Sequence, residues 1–68
     1  MSDDIKFVGS TIKNGTCYAK FSMPMGNIPT TFQQSALQLR EDINKMKSLG
    51  KSPEKIAVFQ EGLDAITP

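Results

Sequence analysis

The dipeptide Asn14-Gly15, placed between two runs of strand-like residues, is the feature that most constrains the fold of this chain. A two-residue turn of type I′ needs positive φ at both central positions, which glycine adopts freely and asparagine more readily than most residues. The dipeptide therefore predicts a β-hairpin in which Lys13 lies opposite Thr16. Because side chains alternate along a strand, this register assigns every neighbouring residue to one face.

Counting outward from the turn gives one apolar face and one mixed face for a hairpin at about residues 5–23. The apolar face is expected to pack on the core. Its residues are Val8, Ser10, Ile12, Cys17, Ala19 and Phe21. The other face combines two aromatic rings with lysines, and its residues are Phe7, Gly9, Thr11, Lys13, Thr16, Tyr18, Lys20 and Ser22.

The segment after the hairpin is interpreted as a connector followed by a helix. Residues 24–30 lie in a stretch rich in proline and glycine, which predicts a break in the strand. A helix is predicted at about residues 31–49, with Thr30 or Thr31 as N-cap, because each precedes a glutamine by three residues. Gly50 indicates the end of this helix.

A second helix is predicted at about residues 53–66. Ser52-Pro53-Glu54 combines a capping residue, a proline at the first helical position and an acid in the first turn. Since few residues separate the helices, they are expected to form an antiparallel αα-hairpin. The expected fold is α+β, with an N-terminal β-hairpin followed by an αα-hairpin in the order ββαα, within a single domain of residues 1–68.

Gly62 lies inside the second predicted helix, on the face that also carries Phe59 and Ile66. A glycine in a helix interior costs about 1 kcal/mol relative to alanine. Two explanations stay open at this point. The position is either a tolerated weak point or a place where another helix or the hairpin approaches closely.

The short length of the chain points to association. At 68 residues, the free energy of burial and the cost of ordering nearly cancel. A single cysteine excludes an intrachain disulfide, and the absence of histidine argues against a structural zinc site. We therefore expect oligomerisation to complete the fold, with a second copy or another protein pairing along the hairpin edge at about residues 5–11 or 18–23.

The residues present indicate a protein that is not an enzyme. Without histidine, no imidazole base can activate a serine or cysteine nucleophile. Cys17, on the apolar face, is interpreted as a small buried hydrophobe. The acidic pairs Asp3-Asp4 and Glu41-Asp42 are interpreted as solvated charge, and no phosphate-binding or calcium-binding spacing is present. No metal and no cofactor are expected.

The location is expected to be cytoplasmic. The acidic start Met1-Ser2-Asp3-Asp4 is not followed by an apolar stretch, which predicts no signal peptide, and no apolar run has the length of a membrane span. No membrane partner is expected. The formal net charge of +1 predicts no bulk attraction to nucleic acid.

The mixed face of the hairpin is the candidate functional surface. Its proposed partner-binding residues are Phe7, Thr11, Lys13, Tyr18 and Lys20. The favoured interpretation is a small protein-binding module, a regulator, inhibitor or assembly factor of the kind common among mobile genetic elements. It would bind a second copy or another protein through its hairpin edge, with Phe7 and Tyr18 as aromatic anchors.

Two other functions remain open. Tyr18, Lys13 and Lys20 form the mixture of ring and cations with which sheets hold single-stranded nucleic acid. The third function is an oligomer that sequesters a small ligand in a pocket formed between protomers.

Overall fold

A three-stranded antiparallel sheet with two helices on one face makes up the computed structural model, which describes residues 4–68. The elements are β1 (Lys6–Lys13), β2 (Thr16–Met25), β3 (Ile28–Ser35), α1 (Ala36–Ser48) and α2 (Pro53–Ile66). The α+β class and the succession of a β-hairpin and a helical hairpin are confirmed, with an additional strand between them. Residues 1–3, used above to predict the location, lie outside the described residues.

The first hairpin turns at Asn14-Gly15, as predicted. Asn14 has φ of 51° and Gly15 has φ of 81°, so both central positions are left-handed. The register follows the prediction from Lys13 opposite Thr16 as far as Gly9 opposite Lys20. In this part of the ribbon the turn alone therefore determines which side chains share a face.

A β-bulge in β1 changes the register beyond Gly9. Val8 is an extra residue, and Phe7 lies opposite Phe21. Phe7 consequently shares the core face with Phe21, and the two rings make an edge contact with centroids 5.8 Å apart. The predictions that Phe7 shares the mixed face with Tyr18 and that Val8 belongs to the core face are both wrong, because the bulge exchanges their sides and leaves Val8 53% exposed.

The predicted connector is in fact the second hairpin of the sheet. β2 continues to Met25, a turn follows at Gly26-Asn27, and β3 returns along β2 with Ile28 opposite Met25. Gly26 has φ of 63°, the positive value that a type II′ turn needs at its first central position. The expectation that residues 24–30 form a connector is wrong.

The two prolines fit into the strands because neither has to donate a ladder hydrogen bond. In an antiparallel pair, the residues that close a two-residue turn are hydrogen-bonded to each other, and pairs alternate outward from there. Pro24 and Pro29 face each other in a pair that is not hydrogen-bonded. The nitrogen of Pro29 points to solvent, and that of Pro24 points past Lys6, the first residue of β1 within the described part of the chain.

The first helix begins at Ala36, five residues later than predicted. Its N-cap is Ser35, whose Oγ accepts a hydrogen bond of 3.4 Å from the amide of Gln38. The expected caps Thr30 and Thr31 are wrong, since both belong to β3. Glutamine-rich residues around position 33 are compatible with a capping pattern, but the strand is favoured because it places Phe32 opposite Phe21 in the core.

The helical hairpin has the predicted termini at its connection. Gly50 ends α1 with φ of 69°, and its amide donates to the carbonyl of Lys47 at 3.2 Å. The amide of Lys51 donates to the carbonyl of Met46 at 2.9 Å, which completes a Schellman motif. Pro53 occupies the first turn of α2. Residues 49–52 thus turn the chain back so that α2 packs on α1, β1 and β2.

The core lies between one face of the sheet and the two helices. Its buried side chains come from every layer: Ile5, Ala19, Phe21, Leu39, Ile43 and Phe59. Phe21 is fully buried and lies against the rings of Phe7, Phe32 and Phe59. A single aromatic side chain of the central strand therefore joins the sheet to α2.

Gly62 is the point of closest approach between α2 and β2. It is buried, and a Cβ atom added there would lie 2.9 Å from Cε1 of Phe21, closer still to Cζ, and 3.1 Å from Cβ of Ala19. Of the two explanations left open by the sequence, close approach of the hairpin is the one that the structure supports.

Candidate functional site

The face of the sheet opposite the helices is termed here the open face. Within residues 4–68, both helices pack on the other face, through Leu39, Ile43 and Phe59. The register assigns to the open face the following residues: Lys6, Gly9, Thr11, Lys13, Thr16, Tyr18, Lys20, Ser22, Pro24, Pro29, Thr31, Gln33 and Ser35. Hydroxyl, amide and ammonium groups dominate this surface.

Four of the five predicted site residues meet on the open face. Thr11 lies opposite Tyr18, Lys20 follows two residues along β2, and Lys13 lies one row nearer the turn. Tyr18 and Lys20 are half-buried, since neighbouring strands flank them on both sides, and Lys13 is exposed. Phe7 is the exception because its ring is in the core.

Sequence reasoning missed the contribution of β3 to this surface. Ser35 lies beside Tyr18 and Gln33 lies beside Lys20, so two further hydrogen-bonding side chains flank the predicted residues. A signal for β3 was present in Gly26-Asn27, because a Gly-Asn pair between two strand-like runs is typical of a hairpin. The prolines on either side of the pair concealed it.

The charged side chains of the sheet all lie on one of its two faces. Residues 5–35 contain three lysines and no aspartate or glutamate. All three lysines, Lys6, Lys13 and Lys20, belong to the open face. The nearest acid along the chain is Asp4, which lines a shallow depression with Lys6 at one end of the sheet. The open face is therefore basic although the whole chain is nearly neutral.

The outer edge of β1 is a second candidate surface. The strand order β1-β2-β3 leaves β1 paired on one side only. Since Lys13 and Thr16 close a two-residue turn, the alternation of an antiparallel pair directs the backbone N–H and C=O groups of Ser10 and Ile12 away from β2. Residues 7–12 contain no proline and no charged side chain. This edge is therefore able to hydrogen-bond to another strand.

The second edge of the predicted hairpin is not available. The expectation that a second copy or partner pairs with residues 18–23 is wrong for that edge, because β3 of the same chain already pairs there, from Tyr18 opposite Ser35 to Met25 opposite Ile28. The third strand that the hairpin needs is thus supplied within the chain. Only the β1 edge of the original prediction remains open.

Cys17 differs from its prediction. It lies on the helix-facing side of the hairpin but is exposed, because α2 ends at Ile66 and does not cover the last rows before the turn. Its neighbour across the ribbon, Ile12, is 69% exposed. Cys17, Ile12 and the last residues of the chain, 65–68, line a shallow groove. The interpretation of Cys17 as a buried hydrophobe is wrong.

We expect Cys17 to react with a thiol reagent such as DTNB as fast in the native protein as in the unfolded protein. The reason is its exposure, since a buried thiol would react only during transient opening. The measurement is the rate of absorbance change with and without denaturant. Protection of the native thiol by an order of magnitude would contradict the exposed position.

The described residues show little that resembles a catalytic or metal centre. Among residues 4–68, no three metal-ligating side chains come together. Asp42, one of the paired carboxylates, accepts hydrogen bonds from Nε2 of Gln34 at 2.9 Å and Nε2 of Gln38 at 3.1 Å. The contact with Gln34 ties α1 to β3 and the contact with Gln38 lies within α1, so the carboxylate has a structural role. None of the described helices is long and apolar enough to cross a membrane.

The fold and its surfaces define a small α+β module with one basic sheet face and two outer strands, β1 and β3, that are each paired on one side only. Comparison with protein-family models, with curated proteins and with solved structures finds no match to this chain. The functional conclusions below are therefore based on the geometry and chemistry of the chain itself.

Proposed function

We propose that this protein is a non-enzymatic protein-binding module that takes up a strand of another protein, or of a second copy, along the free edge of β1. The observation that supports this proposal is the uncharged, proline-free run of residues 7–12 at a sheet edge. Natural edge strands are usually protected against pairing by charges, proline or a β-bulge. The bulge of β1 lies at Val8, so the regular stretch toward the turn, residues 9–12, is the part that is open to pairing. Here lysines stand only at the two ends of the strand, at Lys6 and Lys13.

Side chains near the edge suit such a partner. Val8 is 53% exposed and Ile12 is 69% exposed, so two apolar side chains accompany the free backbone groups. They replace Phe7 in the anchoring role expected from the sequence, while Tyr18 remains on the adjoining open face. In strand addition, backbone hydrogen bonds supply affinity and such side chains supply specificity. A regulator, inhibitor or assembly factor could act in this way by blocking or bridging its partner.

Ser10→Pro is expected to weaken binding through the edge while the fold is retained. The N–H of Ser10 points away from β2, so proline removes no hydrogen bond of the sheet. A partner strand would lose a donor and keep an unsatisfied carbonyl, which weakens binding by about 5- to 150-fold at roughly 1–3 kcal/mol. Sedimentation at tens of micromolar measures self-association, and affinity capture from the native host followed by mass spectrometry identifies another protein.

The matched control is Gln33→Pro on the outer edge of β3, whose N–H also points away from β2. This variant is expected to bind like the wild type. Circular dichroism shows whether both variants are folded. Equal loss of binding in the two variants, or a partner retained by Ser10→Pro, would be incompatible with strand addition at β1.

A further inference from the structure

Four side chains of the open face form a line that runs parallel to β2. They are termed the lysine stripe: Lys13, Tyr18, Lys20 and Lys6. Along β2 the successive rows of this face carry Lys13 beside Thr16, then Tyr18, then Lys20, then Lys6 beside Ser22. Rows on one face of an antiparallel strand are about 7 Å apart, so the stripe is about 20 Å long. Cation, ring, cation and cation thus succeed one another at a regular interval.

The local charge of the stripe differs from the charge of the chain as a whole. Residues 36–68 carry five basic and five acidic side chains, so the helical half has no net charge. It packs on the other side of the sheet. Since exposed charges are largely screened beyond about 8 Å at physiological ionic strength, a ligand on the open face near Lys13 and Lys20 experiences mainly lysines. Asp4 offsets part of the charge only at the Lys6 end, where the two side chains line the same depression. The net charge of +1 therefore understates the attraction of this face for anions.

The ring in the stripe favours one class of polyanion. Tyr18 is half-buried between Thr11 and Ser35, so it is held by its neighbours while part of its ring reaches the surface. An aromatic ring on a sheet offers a stacking platform to an unpaired base, and nearby lysines bind the phosphates on either side. The bases of a duplex are stacked on one another and cannot use such a platform.

We infer that the lysine stripe is a binding site for single-stranded nucleic acid, with Tyr18 stacking on a base and Lys13, Lys20 and Lys6 binding phosphates. Ser35 lies beside Tyr18 and Gln33 lies beside Lys20, and both would supply hydrogen bonds to base or sugar. The site is independent of the proposed strand addition because it uses the open face and not the edge of β1. Little sequence preference is expected, since every base presents a face for stacking.

The chain contains its own probe of this site. Tyr18 is the only tyrosine and there is no tryptophan, so the intrinsic fluorescence comes from the stripe. Addition of an unlabelled short oligodeoxythymidylate is expected to quench this fluorescence. Anisotropy of the same oligonucleotide carrying a fluorescent label gives the Kd, and three phosphate contacts predict a slope of log K against log salt concentration of about −2.

Variants distinguish binding at the lysine stripe from unspecific attraction to the positive charge of the protein. Tyr18→Ser is expected to weaken binding about 5- to 150-fold, the equivalent of one stacked base, and Tyr18→Phe should retain it. Lys13→Gln with Lys20→Gln should reduce the salt slope to about −0.7. The control is Lys45→Gln with Lys47→Gln, which removes the same charge from exposed positions of α1. Ser10→Pro should bind the oligonucleotide like the wild type. The nucleic-acid site and strand addition at β1 can therefore be tested independently of each other.

Three results would overturn the inference. The first is no binding of the oligonucleotide at low salt. The second is an equal loss of affinity in the stripe and α1 double variants, which would indicate unspecific attraction. The third is tighter binding of polyglutamate or of a DNA duplex than of the single strand, without quenching of Tyr18, which would assign the face to an acidic protein or to duplex DNA.

Discussion

Phe21→Ala is expected to cause a large loss in the free energy of unfolding. Phe21 is fully buried, and its ring centroid lies 5.0 Å from that of Phe59, 5.5 Å from Phe32 and 5.8 Å from Phe7. Removal of a buried phenylalanine ring costs about 3–5 kcal/mol. A protein of this length has a total stability of about 3–10 kcal/mol, so the loss is about a third of the total or more.

Urea unfolding followed by circular dichroism measures the effect, with the free energy of unfolding obtained by linear extrapolation. Phe7→Ala serves as the control, because Phe7 is only partly buried at the sheet edge and touches Phe21 from one side. We expect it to cost clearly less. Equal losses in the two variants would show that Phe21 is not the centre of the core.

Gly62→Ala is expected to destabilise the protein although alanine is the better helix former. The gain in helix propensity is about 1 kcal/mol. Against it stands the contact of the new methyl group with the ring of Phe21 and with Ala19, and overpacking of a core costs about 1–3 kcal/mol. Phe21 cannot yield easily because three other rings surround it. We expect a net loss of up to about 2 kcal/mol.

Two further variants isolate the cause of this loss. Ala57→Gly, at an exposed position in the interior of the same helix, should cost about 1 kcal/mol by propensity alone. Phe21→Leu should make Gly62→Ala less harmful, since the smaller side chain leaves room for the methyl group. Additive effects of Phe21→Leu and Gly62→Ala would argue against contact between the two positions.

The turns and helix ends that depend only on neighbouring residues were predicted correctly from the sequence. Asn14-Gly15 specifies its turn because few residue pairs adopt two positive φ values, and the register near the turn follows from it. Ser52-Pro53-Glu54 indicates the start of α2, and Gly50 the end of α1, for equally local reasons. Such signals involve neighbours in the chain and do not depend on the tertiary structure.

Features that depend on distant residues were misread. Whether prolines interrupt a strand depends on which side of the strand its partners lie, and this is known only once β1, β2 and β3 are assembled. The position of Phe32 likewise depends on Phe21, since spacing alone fits both a helix and a strand. In the candidate site, Thr11, Lys13, Tyr18 and Lys20 were placed together correctly because they lie on the turn side of the bulge.

The bulge at Val8 also has an evolutionary consequence. A chain of the same fold without this extra residue would keep the pairing set by the turn along all of β1, and the position before Gly9 would then face the core. Loss of Val8 would place Phe7 directly before Gly9, still opposite Phe21 and facing the core, and would leave Lys6 opposite Ser22. In relatives of this protein, the residue at the bulge could accordingly be lost without a change in the apolar pattern of the remaining residues of β1.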